Sequence, residues 1–326
     1  MNPLSKVLLS LLLLLVSTGV GGYLYVRRQF QPPANQLLVP SLPLTCSFVW
    51  LADTVARPVV AHAALLVPVT LPGCPRLCYL QFDTGAPSTV LYAHPLAALW
   101  ARYPSARRAL LPRGDTLRNV RFTLGQQPVQ AQWLRLLPLG ARRLPHDAAT
   151  PLIVGTLGAD ILEGRVLVLD YARGHFSLCA RVPDSLIRRT AFVPLVYTSR
   201  RLLVTMGLQG RAQQLLFDSG SSAFALLTSP ATWQQLARPH AQARITGVTS
   251  WGKTLTAHTV ATDSTLQLGK VRLPLQTVTY IEGIGFWQTV LMRFSGMGGM
   301  LGNEPFTAHT LVIDTPGRRF GVSPPK

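Results

Sequence analysis

Asp83-Thr84-Gly85 and Asp218-Ser219-Gly220 are the two places in this chain where residue type and setting together suggest chemistry. Each follows a short strand-forming run (CYLQF, 78–82; QLLF, 214–217) and precedes another apolar stretch. An ionised Asp in apolar surroundings is costly unless compensated, and a single such Asp is usually a turn former. Two at matching positions are different: brought face to face, two carboxyls cannot both ionise readily, so they share a proton. The ionised member can draw a proton from water while the protonated member hydrogen-bonds a carbonyl. Water then attacks, a tetrahedral diol forms, and the acid protonates the leaving amine. That chemistry requires no metal, no cofactor and no covalent intermediate. Gly85 and Gly220 let the backbone turn tightly beside each carboxyl, and the Thr84 and Ser219 hydroxyls are placed to brace the opposite loop. Ser221 can hydrogen-bond a carboxylate where Ala86 cannot, so the two acids are expected to be unequal; which ionises first stays open.

The elements that must position this pair are legible because the chain repeats itself. Leu65-Leu66-Val67 leads into the first acidic turn and Leu202-Leu203-Val204 into the second. A strand ending in Gly recurs as RFTLG (121–125) and LQLG (266–269). A G-x-L-G motif recurs as Gly155 to Asp160 and Gly299 to Glu304, and LVLDYARGHF (167–176) recurs as LVIDTPGRRF (311–320). Gly125 to Gly155 and Gly269 to Gly299 are both 30 residues; Gly158 to Asp170 and Gly302 to Asp314 are both 12. Short apolar runs broken by Gly and Pro predict strands in both copies, with one short helix in each, around 94–103 and 229–237. Ser229 before Pro230 is an N-cap signal for the second of these. Asp170 and Asp314, each after a strand and before a Gly-containing turn, read as turn formers.

D-[ST]-G after an apolar strand, found twice and in register with paired L-G motifs, resembles the aspartic peptidase clan over about residues 50–325. The two-copy arrangement resembles pepsin, while D-T-G-A with L-G-x-D and LVLDY is more similar to the retropepsin-type bacterial members. The resemblance implies an all-β fold of duplicated pepsin/retropepsin-like β-barrel lobes with a cleft between them. It also implies a monomeric endopeptidase that hydrolyses peptide or protein substrates, with Asp83 and Asp218 catalytic and Thr84, Gly85, Ser219, Gly220 and Ser221 supporting their loops. One departure concerns the flap, which in the pepsin pattern comes from the first lobe. Residues 104–120 carry no aromatic and several Arg, whereas 243–261 offer a hairpin with Trp251-Gly252 near its middle. The interval from the acidic Asp to the Gly-ended strand is 42 residues in the first copy and 51 in the second, room for that added hairpin. Trp251 and Gly252 are therefore expected over the cleft.

The expected organisation is an N-terminal membrane helix within 1–26, a Pro-rich linker at 27–45, a first lobe at 46–182 and a second at 183–326. Residues 7–26 are uncharged, long enough to span ~30 Å of hydrocarbon. Leu8–Val16 could instead serve as the apolar part of a cleaved signal, but the run continues to Val26 before Arg27-Arg28, which favours an anchor with the catalytic body outside the cytoplasm. Lys6 and Arg27-Arg28 balance, so orientation is open. Cys46, Cys74, Cys78 and Cys179 permit two disulfides or none, and their spacing does not suit zinc. Thirty-one basic against 13 acidic residues give +18, yet the Arg residues from 102 to 143 are scattered and not interleaved with aromatics. Nucleic acid is accordingly not an expected partner. The competing readings are a non-catalytic peptide- or partner-binding module on the same fold, and a basic protein that binds acidic polymers.

Overall fold

Alternation of apolar and polar residues sets most strands. In Cys78–Phe82 the first, third and fifth residues are buried, and in Arg201–Leu208 the buried set is Leu202, Val204, Met206 and Leu208. The computed structural model describes residues 31–56, 59–147, 149–250, 253–283 and 297–324. The protein is mostly β, as its sequence predicts. Asn35–Lys326 form one unit, separate from Met1–Ala34.

The first half builds one sheet. Its hydrogen-bonded order runs Leu37–Leu38, Gln127–Leu137, Val90–Tyr92, Ile153–Leu157, Cys78–Phe82, Val60–Thr70, Thr116–Leu124, Pro112–Arg113. Gln127–Leu137 pairs also with Thr116–Leu124, so the circuit returns on itself. The second half supplies most of a larger sheet, in which Leu226–Leu227, Met297–Leu301, Arg211–Phe217 and Arg201–Leu208 are successive neighbours.

The repeat read from the sequence is visible in the pairing. Ile153–Leu157 lies parallel to Cys78–Phe82, and Met297–Leu301 lies parallel to Arg211–Phe217. Each of these strands ends on a carbonyl that holds an acidic turn: Asp83 N–H donates to Leu157 O at 3.0 Å and Asp218 N–H to Leu301 O at 2.8 Å. Beneath the turns, Phe82 meets Phe176 edge-on at 5.2 Å, and Phe217 meets Phe320 at 5.4 Å. All four are fully buried, each contributing about 1.5–3 kcal/mol of apolar burial.

Where the halves join, Val166–Asp170 pairs antiparallel with Thr310–Asp314, Val168 opposite Val312 and the ends crossed symmetrically, 166 with 314 and 170 with 310. These are the equivalent strands of the two copies, so a local two-fold axis passes between Val168 and Val312. Apart from Asp170, Thr310 and Asp314 at their ends, both strands are apolar and almost wholly buried, as strands covered on both faces must be.

Several expectations shift. Part of the segment read as linker is ordered: Leu37–Leu38 pairs with Gln127–Leu137, and Leu44–Ser47 pairs with His175–Cys179, because Leu37 and Leu44 are buried in the core. The two helices form at Ala93–Arg102 and Pro230–Leu236, the latter capped by Ser229 Oγ accepting from Thr232 N–H. A further helix, Pro104–Ala109, occupies the first-half region in which no flap was expected. Asp170 and Asp314 do close turns, accepting from Arg173 N–H and Gly317 N–H. All four cysteines are free thiols. Among the described residues no helix is long and apolar enough to cross a membrane; residues 7–26, expected to anchor the chain, lie outside them.

Candidate active site

Each acidic turn is made by its own aspartate. Asp83 Oδ1 accepts from Gly85 N–H (2.9 Å) and Ala86 N–H (3.1 Å), an Asx-type closure that ends the Cys78–Phe82 strand. Asp218 Oδ1 likewise accepts from Gly220 N–H at 2.9 Å and caps the short 3₁₀ turn Ser219–Ser221.

The two turns are clasped. Thr84 N–H donates to Ser219 Oγ (3.0 Å) and Ser219 N–H to Thr84 Oγ1 (2.9 Å). Each hydroxyl passes its own proton across the divide, Thr84 to Phe217 O and Ser219 to Phe82 O, both at 3.1 Å. Four hydrogen bonds thus join the loops, each hydroxyl donating one and accepting one, and both side chains are buried. The clasp presses each glycine against the opposite acid. A Cβ on Gly85 would lie 2.7 Å from Asp218 Cγ, and one on Gly220 would lie 2.5 Å from Asp83 Cγ. Glycine is required here by close approach, not by backbone angle.

The carboxyls brought together in this way are not equivalent. Asp218 receives Gly220 N–H, Gly85 N–H across the divide (3.1 Å) and Ser221 Oγ at 3.0 Å on Oδ2. Ala86, at the position matching Ser221, offers Asp83 only its backbone. Burial, then the Asp218 charge and a hydrogen bond to that carboxyl, push Asp83 up to about 8 against the opposing Ala86 and Gly85 N–H groups. These surroundings favour the protonated form of Asp83, and the extra hydroxyl lies on Asp218.

Residues that the sequence marked only as motif brace these turns. Asp160 takes Thr89 N–H (2.8 Å) and Thr89 Oγ1 (2.7 Å), fixing the chain that leaves the first turn; burial raises its own pKa. In the second copy Asn303 does the equivalent work, donating to Ser219 O and Ser222 Oγ while accepting from Tyr171 of the first half at 2.6 Å. Arg200, 6% exposed, binds Pro87 O, Ser88 Oγ and Glu163. Beside the acids, the equivalent positions Thr156 and Met300 differ: Thr156 is bonded to Tyr92 Oη at 2.6 Å, and Met300 Sδ lies 3.3 Å from Ser221 Oγ. Burial raises the pKa of Tyr92, against the pull of its Thr156 hydrogen bond. The signal for Asp160 and Asn303 was their place after L-G; nothing in the sequence singled out Tyr92.

The hairpin expected at 243–261 exists, as Arg244–Ser250 paired with Lys253–Ala261. Its second strand lies along Thr277–Glu282, where His258 stacks on Tyr280 at 4.4 Å and bonds Glu282. Trp251 and Gly252 lie outside the described residues. Among the described residues no group of three or more metal-ligating side chains gathers. No protein-family model matches the chain, and no curated protein matches its sequence.

Proposed function

We propose that the protein is an aspartic endopeptidase, with Asp83 and Asp218 activating a water molecule between two duplicated, barrel-like lobes. The observation that carries this reading is the reciprocal Thr84–Ser219 clasp, which brings two carboxyls of unlike environment together over opposing glycines. Asp218, ionised, takes a proton from the water; Asp83, protonated, polarises the scissile carbonyl. On attack Asp83 gives its proton to the carbonyl oxygen, and the tetrahedral diol then collapses as Asp218 passes the water's proton to the leaving nitrogen and Asp83 recovers its own from the diol. No group outside the chain is needed for these steps. The hairpin at 244–261 is the flap of this reading, and the chain is held to a membrane by residues 7–26 with its catalytic body extracytoplasmic.

The test is digestion of a mixed peptide library by the full chain, from acid to mildly alkaline pH, beside its Asp83→Asn and Asp218→Asn variants. Cleavage by the parent, lost about 10³-fold in either variant and blocked by a statine-type diol mimic, is the expected result. It should fail as pH rises through about 8, where Asp83 gives up its proton. A folded parent that binds peptides and cuts none at any pH would replace the peptidase with a binding module.

A further inference from the structure

The hairpin Thr116–Leu124/Gln127–Leu137 has one face that the core does not use. Leu117, Val120, Phe122 and Leu124 are buried with Val129, Ala131, Leu134 and Leu136. The opposite face carries Arg118, Arg121 and Arg135, all exposed, with Trp133 half-buried directly across from Arg118. Arg113, on the neighbouring edge strand, sits across from Thr116, which in turn pairs with Arg135. Asp115 is the sole carboxylate in 112–137, and its contact with Arg135 is loose and exposed at 3.9 Å. Three guanidinium groups on one face, with an indole among them and almost no acid, form a surface suited to phosphate-bearing headgroups: cations for the phosphates and an amphipathic ring for the interface.

The chain itself selects the occupant. Leu37 and Leu38 pair with Ala131 and Gln130 on this same hairpin, and Gln132 N–H donates to Gln36 O. Ten residues lie between Val26, the end of the apolar segment, and Leu37, eleven Cα–Cα steps in all. Fully extended, they reach no more than ~40 Å. A bilayer holding residues 7–26 thus keeps the arginine face within a short tether of its headgroups, which no soluble polyanion shares. We propose that this face docks on an anionic lipid surface. The docking rests on membrane attachment through 7–26 and is independent of the peptidase reading.

The full chain would be reconstituted into vesicles of phosphatidylcholine, alone or mixed with phosphatidylglycerol. Phenylglyoxal modification of each arginine would then be followed by peptide mass spectrometry. On the anionic vesicles Arg118, Arg121 and Arg135 should react several-fold more slowly, recovering as salt is raised, while the exposed Arg211 and Arg272 of the second half keep their rates. Replacing the three by Glu, a surface change that leaves the buried face intact, should abolish the difference that lipid composition makes to modification of the neighbouring Arg113. Equal rates on both vesicles, or equal slowing at Arg211 and Arg272, overturn the proposal. Equal protection on phosphatidylcholine vesicles by added polyglutamate overturns it in favour of an acidic polypeptide. A chain that fails to float with either vesicle removes the attachment itself, an outcome that leaves peptidase activity untouched and so is told apart from failure of that reading.

Discussion

The turn at Asp83 and the turn at Asp218 are built to one plan and finished differently. Both end a strand on a parallel neighbour's carbonyl, both close on their own carboxylate, and both lend a hydroxyl to the other. The difference is one atom of consequence: the Ser221 hydroxyl donates to Asp218, and Ala86 has only its backbone N–H for Asp83. Duplication supplies two identical acids, and catalysis of the proposed kind needs two unlike ones. A single Ser/Ala difference, with the unequal sharing of Gly85 N–H, makes the two surroundings unlike.

The largest effect expected from disturbing this comparison comes from the glycines. Gly85→Ala and Gly220→Ala each drive a methyl into the opposite carboxyl, and each should cost about 10²-fold or more in peptide cleavage. If one is tolerated, the close approach on that side is not what holds the pair.

Next in size is the pH dependence of stability. Asp83 sits at about 8 in the folded chain against 3.8 for the free side chain. Between these values the native state keeps a proton that the unfolded chain has lost, so stability should fall as pH rises from about 4 to about 8. Asp83→Asn should remove that slope and be the more stable protein above pH 8. Asp218→Asn, which deletes the second of the causes raising Asp83, should only shrink the slope. Thermal melting across pH measures both, and equal slopes in all three proteins would contradict the assignment of the proton.

Smaller still is the clasp. Thr84→Ala and Ser219→Ala each leave a buried N–H and a buried carbonyl without their partners, costing ~1–3 kcal/mol per stranded group. Because the bonds are reciprocal, the double variant should lose less than the sum of the singles in denaturant titration. Additive losses would mean that the two hydroxyls act separately.

The finest distinction is the finishing residue. Ser221→Ala takes a donor from Asp218 and should move the acid limb of the activity profile upward. Ala86→Ser makes the turns alike and should bring the alkaline limb down from about 8. Shifts of about half a unit to one unit are expected. Profiles that do not move would place the inequality elsewhere in the loops.

Much of this was open to reading in the chain itself. Asp83 and Asp218, the repeat, the strands and both helices followed from short-range pattern, and so did the hydroxyls' role, since Thr84 and Ser219 stand at matching points of matching turns. The crossing partners were another matter. That Asp160 grips Thr89, that Tyr171 of one half reaches Asn303 of the other, and that Tyr92 meets Thr156 depend on contacts between residues 64 to 132 positions apart, where no periodicity carries the information. Residues 37–38 were lost among prolines because a two-residue strand has no period at all; only the buried side of Leu37 gives it a place.

The symmetric meeting of Val166–Asp170 with Thr310–Asp314 has an implication for how these chains behave in company. Each strand would accept its counterpart from a second molecule in the same register as from its own, and nothing local distinguishes the two marriages. Only the covalent link through Pro183 keeps the effective concentration of the right partner high. Refolded from denaturant in dilute solution, the chain should close on itself. Refolded in concentrated solution, it has a route to exchanged dimers in which each carboxyl pair is assembled from two molecules.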